Sequence, residues 1–102
     1  MLPEKIHNML QKIFDTSQNN GLQWSYDNEN DIVSPKLRNN KVGIHYGYDS
    51  DRGISYYRID VTDSHGREAS YPVMEDERDY DLARKVYAEG TADSLEINLD
   101  DL

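Results

Sequence analysis

The chain has 102 residues, of which 30% are charged and 36% apolar, with a formal net charge of −9. This length suits one domain with a single small core, and the acidic balance disfavours nonspecific binding to a phosphate backbone. Cysteine is absent, which excludes disulfides and thiolate metal sites and indicates a reducing compartment.

Apolar residues at helical spacing predict an amphipathic helix at the start of the chain. They are Leu2, Ile6, Met9, Leu10, Ile13 and Phe14. Pro3 suits the first turn, and the run SQNNG predicts a stop near Ser17. The start lacks the basic and continuous apolar regions of a secretory signal, and no run is long enough to span a membrane, so we expect a cytoplasmic protein.

Alternating residues then predict a meander of three or four antiparallel strands. GLQWSYDN carries Leu22, Trp24 and Tyr26 on one face. The polar segment 27–40 carries Pro35 and fits either a short edge strand with breaks or a loop. In KVGIHYGYD the second face is rich in glycine, which leaves room for a helix, another backbone or a ligand.

Two further strands are predicted in ISYYRIDV and REASYPVM. Gly53 and Gly66 suit the turns that precede them, because glycine tolerates positive φ. Pro72 cannot donate a ladder hydrogen bond, so the last strand should lie at an edge or end near this residue.

The run DERDYDLARKVYAEG predicts a second helix, with Asp76 or Asp79 as its cap and Gly90 as its stop. Residues 92–102 are acidic, and their apolar residues fit either a helical or a strand face. We expect a short helical or irregular tail there. The prediction is therefore one α+β domain over residues 1–102: an N-terminal helix, a three- to four-stranded antiparallel meander and a C-terminal helix, with both helices on one sheet face.

The charge is unevenly distributed along the chain. Residues 1–48 contain five acidic and five basic residues, whereas residues 49–102 contain fifteen acidic and six basic residues. This asymmetry is typical of an acidic interaction surface, although solubility alone also accounts for it.

With these elements placed, the chain resembles a widespread family of small bacterial or phage proteins. The similar stretches are NNGLQWSYD, the turn DSHG, and the closing helix with its acidic segment, DLARKVYAEGTADSLEINLDDL. The resemblance implies a layout of helix, antiparallel hairpins and helix, and it brings no assigned activity. The motifs are structural, and in the closing stretch AEGTA replaces a longer helical run.

The chain offers little catalytic chemistry. His7, His45 and His65 fall on different predicted elements, and none has a second histidine at metal-ligand spacing. The acids in DNEND and DSD do not fit a calcium loop, because its sixth position, which requires glycine, is Ile32 in one and Ile54 in the other, and they suit turns instead. We therefore expect no enzymatic activity, no metal and no cofactor.

Two surfaces remain as candidate binding sites. One is a mixed strand face with Ile54, Tyr56 and Arg58 beside His45, and the other is an acidic stretch. The stretch contains Glu75, Asp76, Glu77, Asp79 and Asp81. The leading hypothesis is an inhibitor-like protein, of the immunity, antitoxin or anti-defence type, that occupies a basic protein partner without contacting nucleic acid or membrane.

Two alternatives use other features. Strand edges near Arg67–Val73 or Gly21–Tyr26 favour a homodimer or assembly module. A pocket lined by tyrosines, with Gly43 and Gly47 admitting the ligand, favours a small-ligand binder.

Overall fold

The computed structural model describes residues 2–19, 21–93 and 95. Over these residues the order is α1 (Glu4–Gln18), β1 (Trp24–Asp27), β2 (Ile32–Pro35), β3 (Lys41–Asp49), β4 (Ile54–Thr62), β5 (Glu68–Met74) and α2 (Tyr80–Asp93). The strands form one antiparallel sheet in chain order. The α+β class and the flanking helices are confirmed, but the sheet has five strands rather than three or four.

The additional strand lies in segment 27–40, where Pro35 had made a strand ambiguous. The Lys36 N–H donates to the Gln23 carbonyl across the β1–β2 pair at 2.8 Å. Because backbone groups alternate in direction along a strand, Pro35 faces β3 instead. The ladder between β2 and β3 ends at Val33↔Ile44, so the missing N–H of the proline costs no hydrogen bond there.

The core lies between one face of the sheet and the two helices. The fully buried side chains are Val33, Ile44, Ile59 and Val73 from the strands, Leu10 from α1 and Val86 from α2. The strand register places the first four on one sheet face. α1 lies alongside α2, and its buried residues belong to the same core cluster.

Tyrosine supplies much of the remaining cover on this face. The rings of Tyr46, Tyr57, Tyr80 and Tyr87 form a contiguous cluster with centroid separations of 5.2–6.2 Å. Burial raises the pKa of Tyr57 to about 12. These rings add large apolar area to a chain with few aliphatic residues, and Tyr26 and Tyr71 also pack against the core.

Gly90 does not end the second helix, as its residue type had predicted. It is buried inside α2, which continues to Asp93. A Cβ at Gly90 would lie 2.6 Å from Val33 Cβ and 2.8 Å from Trp24 Cε3. The glycine therefore permits close helix–sheet packing. Apart from Leu95, the predicted acidic tail after Asp93 lies outside the described residues.

The two predicted turn glycines are confirmed. Gly53 has a φ of 67° between β3 and β4, and Gly66 has a φ of 83° between β4 and β5. β5 is an edge strand, as Pro72 had indicated, and it continues past the proline to Met74.

Candidate functional site

The meander gathers acidic residues at one end of the sheet, which we call the acidic end. The β1–β2 turn, the β3–β4 turn and the segment after β5 all lie there, because successive strands run in opposite directions. These three segments are residues 27–31, 49–53 and 75–79. Together they contain nine acidic and two basic residues.

The opposite end, which we call the basic end, carries the reverse bias. It consists of residues 35–41 and 62–68, which hold the other two strand connections. These residues include four bases and two acids. The strand connections of the sheet are thus acidic at one end and basic at the other.

This polarity corrects the picture drawn from the sequence halves. Residues 1–48 have no net charge, but their charged side chains lie at two different ends of the sheet. Asp27, Glu29 and Asp31 lie at the acidic end, whereas Lys36 and Arg38 lie at the basic end. The acidic surface therefore extends beyond the carboxyl-terminal part of the chain. The signal in the sequence was the alternation of acidic and basic turns along a meander.

Two acids at the acidic end hold their own turns, as the turn interpretation predicts. Asp27 Oδ1 accepts hydrogen bonds from the N–H groups of Glu29 and Asn30 at 3.1 and 3.3 Å. Asp49 Oδ1 accepts from the N–H groups of Asp51 and Arg52 at 3.1 and 3.2 Å. The side-chain hydrogen bond from Asn30 lowers the pKa of Asp27. Both turns thus keep a carboxylate at this end of the sheet.

A depression of about 460 Å³ opens where the acidic end meets the sheet. It is lined by Tyr48, Asp49, Ser50, Tyr56, Pro72 and Met74. Tyr48 is 61% exposed, and Tyr56 lies across Gly47, where a Cβ would be 2.3 Å from the tyrosine Cζ. An exposed tyrosine ring and a half-buried one beside a carboxylate provide the groups that attract a lysine or arginine side chain.

The sheet face opposite the helices carries the four residues predicted as a mixed binding face: His45, Ile54, Tyr56 and Arg58. The register pairs His45 with Arg58, Gly47 with Tyr56, and Asp49 with Ile54. Arg58 does not present a free cation, because its Nε and Nη2 donate to Asp60 at 3.0 and 3.1 Å. Among them, Tyr56 is the residue that reaches the depression.

His45 occupies a partly enclosed position on that face. Its Nδ1 is buried without a hydrogen-bond partner among the described residues. Burial lowers the pKa of His45 below its ordinary value of 6.5, and the positive charge of Arg58 lowers it further. The imidazole is therefore neutral near pH 7 and contributes no positive charge to this face.

The predicted acidic stretch divides into three parts. Glu75, Asp76 and Glu77 lie at the acidic end. Asp79 is only 3% exposed and accepts hydrogen bonds from Leu2 and His7, so it is structural rather than part of a binding surface. Asp81 forms ion pairs with Arg84 and Lys85 within α2, which compensates its charge.

Within residues 2–19, 21–93 and 95, no group of three or more histidine, aspartate or glutamate side chains is arranged to hold a metal ion. No helix in this part of the chain is long and apolar enough to cross a membrane. Comparison with family models, curated proteins and solved structures gives no match.

Proposed function

We propose that this protein is a small, acidic, non-enzymatic binding protein that uses its acidic end to occupy a basic protein partner. The observation that supports this most strongly is the convergence of three acidic segments at one end of the sheet. A concentrated negative potential steers a positively charged partner and disfavours wrong ones. Immunity proteins, antitoxins and anti-defence inhibitors of bacteria or phage act in this way, and the analogy is functional rather than structural.

The depression beside the acidic end gives this surface a point of specificity. A lysine or arginine of the partner would place its stem against Tyr48, Tyr56 and Met74 and its charge near Asp49. Tyrosine provides contact area with little loss of side-chain entropy. The surrounding acids would contribute mainly to the association rate, because exposed charge pairs add little affinity each.

The geometry supports a homodimer through β5 less well. The Glu75 N–H donates to the Ser55 carbonyl at 3.2 Å, so the alternate position Pro72 faces the open edge. A proline there removes a donor from the middle of the edge, which hinders pairing with a second strand. The other edge strand, β1, has four residues and offers a short ladder.

Neutralising the acidic end should weaken binding more than neutralising other acids. The end variant carries Glu29→Gln, Asp51→Asn and Glu75→Gln. The control carries Asp15→Asn, Glu68→Gln and Asp93→Asn, which lie away from the acidic end. Each set removes three exposed negative charges, changing the net charge from −9 to −6.

The partner is isolated from the native host with the wild-type chain, and its dissociation constant is then measured for all three proteins at several salt concentrations. We expect a loss of about tenfold or more for the end variant, a small change for the control, and wild-type binding that weakens with salt. Equal losses in the two variants, or affinity that does not vary with salt, would contradict the proposal.

A further inference from the structure

A groove at the basic end combines an apolar floor with positive charge at its rim. Met9 and Ile13 of α1 line it together with Leu22 and Leu37, which flank the β1–β2 hairpin. Its volume is about 380 Å³, which lies in the range of small-molecule sites. Ile13 is buried, whereas the other three side chains are half-buried. The floor therefore keeps apolar surface that a ligand can cover.

Two cations stand beside this floor without a carboxylate to neutralise them. Lys12 and Arg38 line the groove, and no ion pair in the described part of the chain involves either side chain. Asp15, the acid nearest to Lys12 along α1, accepts a hydrogen bond from Gln11 at 3.1 Å instead. The rim of the groove is thus available to attract an anion.

The strand connection beside the groove adds to this positive charge. Residues 36–41 contain three basic residues and no acidic residue. Leu37 and Asn40 also line an adjoining depression of about 300 Å³, together with Lys36 and Lys41. The groove therefore opens into the most basic connection of the sheet, next to further apolar surface from Leu37.

We infer that this groove binds a linear aliphatic monocarboxylate. The chain of the ligand lies on Met9, Leu22 and Leu37, and its carboxylate lies beside Lys12 and Arg38. Each part of the ligand meets the part of the groove that matches it, because burying the chain removes apolar surface from water and the two cations attract the carboxylate.

The net charge of the molecule favours a small ligand over an acidic protein. A protein interface covers about 800 Å² on each partner, so it would extend from the groove onto a molecule with a net charge of −9. A monocarboxylate brings one negative charge and contacts only the groove. The inference is independent of the proposed protein partner, because the acidic end lies at the opposite end of the sheet.

The test uses the full chain with labelled methionine methyl groups and fatty acids as probes. Titration with decanoate, below the concentration at which it forms micelles, should shift the NMR signal of Met9, which lines the groove. The signal of Met74, which lines the depression at the acidic end, should stay in place and serves as the internal control. An unchanged Met9 signal, or equal shifts of both signals, would overturn the inference.

Two changes in the probe separate the aliphatic chain from the carboxylate. Octanoate should bind about fourfold more weakly than decanoate, because it has two fewer methylene groups to cover the half-open apolar floor. 1-Octanol keeps an eight-carbon chain without the charge and should bind about fivefold more weakly than octanoate. Octanol that binds as tightly as octanoate would show that the carboxylate is not recognised, which contradicts the inference.

Neutralising the two cations tests the same contact from the side of the protein. Lys12→Gln with Arg38→Gln should weaken decanoate binding about fivefold. Arg52→Gln with Arg67→Gln, the matched control, removes the same charge from two other exposed residues and should weaken it by less than about twofold. Equal losses in the two variants would mean that net charge, rather than the groove, controls binding, and would refute the site.

The same NMR signal tests two other occupants. Dilution of the ligand-free protein should leave the Met9 signal in place, whereas a shift with concentration would mean that a second copy fills the groove. An acidic peptide of leucine and glutamate should shift Met9 less than decanoate does at the same concentration. A stronger effect of the peptide would assign the groove to a protein segment. Either of these contrary results overturns the inference.

Discussion

Replacing Asp79 with alanine should lower the free energy of unfolding by about 2 kcal/mol. Asp79 lies immediately before α2, and its two oxygens bind the start of the chain: Oδ2 accepts from the Leu2 N–H at 2.8 Å, and Oδ1 lies 2.9 Å from His7 Nδ1. The N–H of Leu2 is buried, so losing its acceptor leaves an unsatisfied donor. Urea unfolding of wild type and variant measures the loss.

Two further substitutions test whether the lost hydrogen bonds cause this destabilisation. Asp79→Asn keeps one carbonyl oxygen in the same place, so it should lower the free energy of unfolding by less than Asp79→Ala does. Asp76→Ala removes an exposed acid three residues earlier and should change the free energy by less than about 0.5 kcal/mol. Equal effects of Asp76→Ala and Asp79→Ala would show that the buried hydrogen bonds do not tie α1 to α2.

The same carboxylate makes stability depend on pH. Burial raises the pKa of Asp79, but the hydrogen bonds from Leu2 and His7 and the charges of His7 and Arg78 outweigh this, so the folded-state pKa lies below 3.8. The stabilisation is therefore complete above the unfolded pKa of 3.8 and is lost as the pH falls through the folded value. The difference in stability between wild type and Asp79→Ala should shrink in this acidic range.

Gly90→Ala should lower the free energy of unfolding by about 2 kcal/mol, although alanine is the better helix former. The substitution gains about 1 kcal/mol in helix propensity but places a methyl group 2.6 Å from Val33 Cβ and 2.8 Å from Trp24 Cε3. Relieving these contacts requires α2 to move from the sheet, at a cost of about 3 kcal/mol. Urea unfolding again gives the measurement.

Gly43→Ala is the matched control for an added methyl group. Its Cβ would lie 3.3 Å from Ile32 Cγ2 and 3.7 Å from Ser34 Oγ, which are side-chain atoms on the open face of the sheet. We expect a change near zero there. A Gly90→Ala protein as stable as wild type, or more so, would refute the close contact between α2 and the β1–β2 hairpin.

Periodic patterns were sufficient for most of the fold. The first helix, the strands around Ile44 and Ile59 and the turns at Gly53 and Gly66 each follow from one local signal. Gly90 and Pro35 were misleading because the same residue type has two uses. A glycine can end a helix or admit a close neighbour, and a proline can break a strand or face the side where the ladder has ended.

The candidate site was only partly predictable for a related reason. The acids of the β1–β2 turn and those after Met74 are far apart in sequence, and only the strand order brings them together. Asp79 is likewise absent from the surface, because it is buried against Leu2 and His7, which come from the start of the chain. The composition of a short segment does not reveal the convergence of the acidic turns or the contact of Asp79 with the start of the chain.

The most direct test of the account is an NMR titration of the full chain with a decalysine peptide at low salt. We expect backbone amide shifts concentrated in residues 27–31, 49–53 and 75–79, together with shifts at Tyr48 and Tyr56, and their reduction as salt is added. Shifts spread evenly over exposed acids such as Asp15, Glu68 and Asp93, or no shifts at low salt, would contradict the claim that the acidic end binds basic partners.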